Sequence, residues 1–251
     1  MAILIAAAVV PALILLVRIY RLDRLEPEPV SLLIALVVLG VVSTVLASLS
    51  EQIGDFVLAF FVPEQHPAYP ILLYFGVVAF SEEGFKYLLL KKQTWFSPHF
   101  NCQFDGVVYA TFVSLGFALS ENIGYVLRYG FATAVARAIT AIPGHACFGV
   151  FMGVFYGVAK RQHLAGNLPV SGWCRFFAVL VPAILHGWYD YIATQQTENL
   201  TSVFVTFVVL LFFAAYFAAV MTAKHDRYID LPTENYPVTD AAEDMSYREE
   251  R

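Results

Sequence analysis

Pro70-Ile-Leu-Leu-Tyr-Phe-Gly-Val-Val-Ala-Phe-Ser-Glu-Glu-Gly-Phe-Lys-Tyr-Leu-Leu-Leu90 is apolar and long enough for a membrane helix, yet it carries two adjacent carboxylates, Glu82 and Glu83. A charged side chain near the bilayer centre costs roughly 2.5–3.5 kcal/mol on insertion scales. Such groups are rare, face the interior of a bundle and mark function. The reading of this stretch therefore turns on which other polar groups meet the pair.

The whole chain has the composition of a membrane protein. Its 251 residues are 59% hydrophobic and only 14% charged, against about a quarter charged in a soluble domain. The net charge of -5 is concentrated in the segment from Ala223 to Arg251, which has eight acidic and four basic side chains. With Pro232, Pro237 and no apolar period, this segment reads as a solvated, disordered cytoplasmic tail. No basic patch supports a nucleic-acid partner. Cys102, Cys147 and Cys174 lack C-x-x-C spacing and form neither a disulfide framework nor a thiolate zinc site.

Seven apolar stretches can each form a bilayer helix, at about 2–17, 30–50, 70–90, 104–127, 134–158, 172–193 and 201–222. The runs are continuous rather than alternating, so helices and not a β-barrel satisfy the backbone. The expected fold is all-α: a polytopic seven-helix membrane domain over 1–222, a catalytic core at about 70–193, and the tail 223–251. Arg18, Arg21 and Arg24 follow the first span, and no positive residue precedes it. Lys91 and Lys92, Lys160 and Arg161, and Lys224 and Arg227 follow spans three, five and seven. Residues 51–69, read as an outer loop, contain no Lys or Arg. The positive-inside rule then gives an outside N-terminus and a cytoplasmic C-terminus.

Four spans contribute polar groups. Lys86 lies four residues after Glu82 and three after Glu83, so it can pair with either. Span four carries Glu121 and Asn122, with Tyr125 one turn beyond. Span five carries Pro143-Gly144-His145, where the proline removes a backbone donor and should kink or loosen the helix. In span six Pro182 precedes His186 by four residues, and Asp190 lies one turn on, placed to orient the imidazole. Arg137 and Arg175 sit near span ends and read as snorkelling side chains.

This set allows hydrolysis of a peptide bond in two ways. Glu121, His145 and His186 can bind Zn²⁺ with one position left for water and a span-three glutamate as base. Alternatively a glutamate activates water directly and the histidines stabilise the oxyanion. The residues do not choose between them. Neither an H-E-x-x-H nor a G-x-S-x-G signature is present.

Glu82-Glu83-x-x-Lys86, Phe117-x-x-x-Glu121-Asn122, Pro143-Gly144-His145 and His186-x-x-x-Asp190 resemble, in order and spacing, the PrsW family of bacterial intramembrane proteases. That family is similar to the CAAX-prenyl endopeptidases and to the seven-helix scaffold subunit of γ-secretase. The resemblance covers residues 70 to 192. It implies that Glu82 and Glu83 include the catalytic base, that Glu121, His145 and His186 complete the site, and that Lys86, Asn122, Tyr125 and Asp190 support it. It also implies an inner (plasma) membrane location and a membrane-anchored protein substrate; family members make the first cut in anti-sigma factors. A non-catalytic scaffold and a proton or ion carrier are the competing readings. The paired glutamates argue against the first and the lack of an inverted repeat against the second.

Overall fold

The computed structural model describes residues 2–195 and 198–229 and is helical nearly throughout. The helices are α1 (Ala2–Tyr20), α2 (Val30–Phe61), a short α3 (Tyr69–Ile71) that leads through a π-helical segment (Leu72–Ala79) into α4 (Phe80–Thr94), α5 (Asp105–Tyr129), α6 (Phe131–Ile139), α7 (Ala141–Leu164), α8 (Leu168–Thr194) and α9 (Glu198–Lys224). Among the described residues, five stretches are long and apolar enough to cross a membrane: Val30–Phe61, Asp105–Tyr129, Phe131–Leu164, Leu168–Thr194 and Leu200–Lys224. The protein is a multi-pass membrane protein. The part of the acidic tail beyond residue 229 lies outside the described residues.

α5 forms the axis of the bundle. Every residue from Asp105 to Ala118 is buried, and α7 and α2 are its main neighbours. α7 meets it through Gly149, Gly153 and Gly157, spaced four apart on one face. A Cβ at Gly153 would run into the backbone of Gly106 and Val107. Without a hydrophobic drive between helices in lipid, such small residues let backbones approach closely. The outer faces of α2 and α9 instead present Val38, Val45, Phe56, Leu210, Phe213 and Phe217, as expected for surfaces solvated by acyl chains.

Three features differ from the sequence reading. α2 continues to Phe61, so the first part of the expected outer loop 51–69 is helix. Glu51, Gln52 and Asp55 interrupt the apolar run without breaking the helix, because they fall at its end. The expected third span is not one regular helix: the π-helical turns of Leu72–Ala79 precede the glutamates. The expected fifth span is two helices, α6 and α7, separated at Thr140 (φ -121°, ψ -64°). Pro143 thus sits in the first turn of α7, where a missing donor costs little. Pro182, by contrast, lies inside α8.

Candidate active site

The first turn of α4 carries both glutamates, and their side chains point into the bundle. Glu83 and Lys86 are fully buried and Glu82 is nearly so. The preceding π-helical segment sets the rotation of this turn; such segments are frequent at functional sites. Lys86 reaches back along the helix and donates from Nζ to Glu83 Oε1 at 2.8 Å and to Glu82 Oε2 at 3.3 Å. The same ammonium lies 3.3 Å from His145 Nδ1 and 3.8 Å from the centre of the Phe117 ring, a cation–π contact.

α7 and α8 supply the histidines. His186 Nδ1 lies 2.9 Å from Glu83 Oε1, and its Nε2 lies 3.4 Å from Asp190 Oδ2 and 3.8 Å from Glu82 Oε2. Phe148 stacks on His186 at 4.6 Å and fixes its plane. The two imidazoles stand nearly perpendicular at 5.1 Å. His145 accepts at Nδ1 from Lys86, so Nε2 carries the proton and donates to Glu121 Oε2 at 2.9 Å. Ser114 of α5 donates to the His145 carbonyl at 2.6 Å and ties α7 to the axis beside the imidazole.

Glu121 stands behind His145, away from the paired glutamates. It is bound by Arg137 of α6, whose Nη2 lies 2.7 Å from the same Oε2. Arg137 also donates from Nε to Asn122 Oδ1 at 3.0 Å and stacks over the Tyr125 ring. Asn122 is fully buried, whereas Tyr125 is exposed on its other side. Glu121, Arg137 and Asp190 keep side-chain exposures of 19%, 17% and 24%, so they are more exposed than Glu82, Glu83 and Lys86. All nine residues singled out in the sequence occupy this region of the bundle.

Two groups went unread in the sequence. Arg137 was set aside as a snorkelling cation, yet it holds Glu121, Asn122 and Tyr125 together. A short amphipathic segment after Gly130, with its cation on the polar face, was the available signal. Glu51 lies within electrostatic range of Glu121, His186, Lys86 and Asp190. Its assignment to a loop hid it; the continued apolar spacing of Ile53, Val57 and Leu58 was the clue that α2 goes on.

Two imidazoles and two carboxylates offer one atom each within 4.8 Å of one another in the set Glu82, Glu83, His145 and His186. The donor set suits a zinc-type ion. Each imidazole is backed at Nε2 by a carboxylate, Glu121 or Asp190, the usual outer arrangement of a metal-bound histidine. Glu83 Oε2 is buried and has no hydrogen-bond partner, which leaves one orphaned acceptor at the cluster. Lys86 Nζ lies among the same atoms, so an ion and the ammonium compete for them.

The chain matches the family model described as PrsW family intramembrane metalloprotease over residues 28–220. Among curated proteins it is similar to Protease PrsW of Geobacillus kaustophilus, 35% identical over 195 residues that cover 75% of this chain and 79% of the relative. Protease PrsW of Bacillus subtilis is 31% identical over 78% of this chain and 84% of its own length. Protease PrsW of Clostridioides difficile is 31% identical over 81% and 84%. No solved structure matches. On a match of this extent, the chain belongs to the PrsW family of intramembrane metalloproteases, and it is an endopeptidase.

Proposed function

We propose that the protein hydrolyses a peptide bond of a membrane-anchored protein substrate at the Glu82–Glu83–His145–His186 cluster. One observation carries the assignment: four side chains from three helices, all buried, converge within 4.8 Å inside a bundle of apolar helices. Burying that many ionisable groups in a membrane protein is costly unless they act. The paired glutamates make a purely structural scaffold the poorer reading.

The two glutamates divide the work. Glu83 is clamped by Lys86 at 2.8 Å and by His186 at 2.9 Å. Glu82 has only longer contacts, 3.3 Å to Lys86 and 3.8 Å to His186. Glu82 is therefore the general base, free to take a proton from water, and Glu83 is the fixed member that orients Lys86 and His186. Where a zinc ion is bound, Glu83, His145 and His186 hold it, and it supplies an acidified water and polarises the scissile carbonyl. Glu121 and Asp190 stand behind the imidazoles and set their tautomers. Glu121 thus backs His145 instead of joining it as a ligand, because its Oε2 already serves the His145 Nε2–H and Arg137.

Seven membrane passes with an outside N-terminus and a cytoplasmic C-terminus, in the plasma membrane, fit the distribution of Lys and Arg. The partly exposed Glu121, Arg137 and Asp190 then lie in the outer half of the bilayer, where water reaches the site. A single-pass anti-sigma factor is the substrate class that family members suggest. The test is cleavage of a membrane-anchored reporter library in cells carrying the native chain or the Glu82→Gln, Glu83→Gln or His186→Ala variant. Each variant should insert normally and cut nothing. Unchanged cutting by all three would refute the assignment.

A further inference from the structure

The opposite end of α5 carries a second group of carboxylates that proteolysis does not use. Asp23 and Glu28 come from the turn between α1 and α2, and Asp105 opens α5. One oxygen from each of the three lies within 4.8 Å of the others. Asp105 is 16 positions before Glu121, about 24 Å along the helix at 1.5 Å per residue, so this group is separate from the proteolytic cluster.

Glu28 is 5% exposed, and its Oε2 is buried without a hydrogen-bond partner, while Tyr109 and Asp105 lie against its carboxyl. Both carboxylate oxygens of Asp23 are likewise shut off from solvent without a hydrogen bond. Asp105 is the best satisfied: its Oδ2 accepts the Asn101 and Cys102 amides at 3.0 and 2.7 Å. The Tyr109 hydroxyl beside Glu28 donates to the His99 carbonyl. Among the described residues no Lys or Arg forms an ion pair with any of the three. The nearest buried cation, Lys160, is committed to the Trp95 carbonyl at 2.8 Å. Asp226 sits close by and accepts the Phe104 amide at 2.9 Å.

Sequence holds Glu28 in place despite the cost of burying it. It stands between Pro27 and Pro29, and Pro29 has an extended backbone (φ -56°, ψ 127°) just before α2. Two prolines fix their own φ and bias the residues before them to extended conformations, so Glu28 cannot turn away cheaply. Three carboxyl groups packed together without a paired Lys or Arg must either share protons or take up a cation.

We propose that Asp23, Glu28 and Asp105 form a binding site for one divalent cation of the hard, oxygen-preferring class, Ca²⁺, Mn²⁺ or Mg²⁺. Three carboxylates and no imidazole or thiolate exclude a soft-metal preference. The ion joins the α1–α2 turn to the start of α5. The residues after α9 are tied to the same place, since the Ile229 amide donates to the Asn101 carbonyl at 2.6 Å. The site is a structural clamp at the end of the bundle and does not depend on the proteolytic reading.

The experiment uses the full chain in lipid nanodiscs, stripped with chelator, titrated with Ca²⁺ by calorimetry and with Mn²⁺ by electron paramagnetic resonance. Wild type should bind one Ca²⁺ saturably, and Mn²⁺ should compete for it. Glu28→Gln, and separately the half-buried Asp23→Asn in case the first disturbs folding, should raise the Ca²⁺ dissociation constant at least tenfold. The His145→Ala/His186→Ala double variant should bind Ca²⁺ like wild type. Wild type that takes up no Ca²⁺ at millimolar concentration would overturn the proposal, with a shared proton as the compensating charge. Binding lost in the histidine variant but kept in Glu28→Gln would also overturn it.

Discussion

Lys86→Met is the most discriminating single change in the candidate active site. The ammonium is completely buried and touches Glu83 at 2.8 Å, Glu82 at 3.3 Å and His145 at 3.3 Å. Methionine keeps most of the volume but removes the ammonium, and with it the cation–π contact to Phe117, so the perturbation is electrostatic. Removing one member of a buried ion pair costs about 3–5 kcal/mol, because its partner stays behind uncompensated. Here two carboxylates are left, and a loss toward the upper end is expected. Restoring neutrality should recover part of it: Glu83→Gln should be less damaging in the Lys86→Met background than in wild type, by a coupling of about 1–3 kcal/mol. The assay is reversible unfolding in mixed micelles, run as a double-mutant cycle, with insertion checked separately. Additivity within about 0.5 kcal/mol would mean that the two groups do not depend on each other, and the division of roles between Glu82 and Glu83 would fall with it.

Three further outcomes follow from the same geometry. Arg137→Met leaves Glu121 without its 2.7 Å partner; reporter cleavage should fall by about 10–100-fold, as for loss of an outer-shell partner, with insertion unchanged, and full activity would remove Arg137 from the site. Metal analysis of purified protein should find stoichiometric zinc that is lost in Glu83→Gln and His186→Ala, whereas Glu121→Gln should retain it with affinity reduced about 10–100-fold; complete loss with Glu121→Gln would make Glu121 a direct ligand. Gly153→Val should prevent stable packing of α7 on α5, since its side chain would meet backbone at Gly106 and Val107. The cost should exceed the usual 1–3 kcal/mol of overpacking, and a thermal midpoint equal to wild type would contradict the close approach.

The sequence carried more of the site than of the scaffold around it. Glu82, Glu83, Glu121, His145, His186 and Asp190 were legible because each is polar in an apolar run, where no other explanation is cheap. Glu51 and Arg137 were not, because a charge near a span end has an ordinary reading in water. The close approach of α5 and α7 through Gly149, Gly153 and Gly157 was present as a four-residue spacing, but without a partner helix it specified nothing. Asp23 and Glu28 carried no signal at all: acids in a short polar turn are unremarkable until the turn is seen packed against Asp105.

Composition and hydropathy alone determined that this is an all-helical membrane protein, since only closed backbone hydrogen bonding survives in lipid. Helical spacing alone placed Lys86 within reach of either glutamate. Tertiary structure decided what spacing within one helix cannot reach. It set Glu83 against His186 across 103 residues, placed Glu121 behind His145 with Arg137, and gathered Asp23, Glu28 and Asp105 at the far end of α5. The first two depend on how the π-helical turns rotate α4 and how closely glycines let α7 approach α5, and the third on how the α1–α2 turn packs against the start of α5. All are properties of packed elements and not of any one of them.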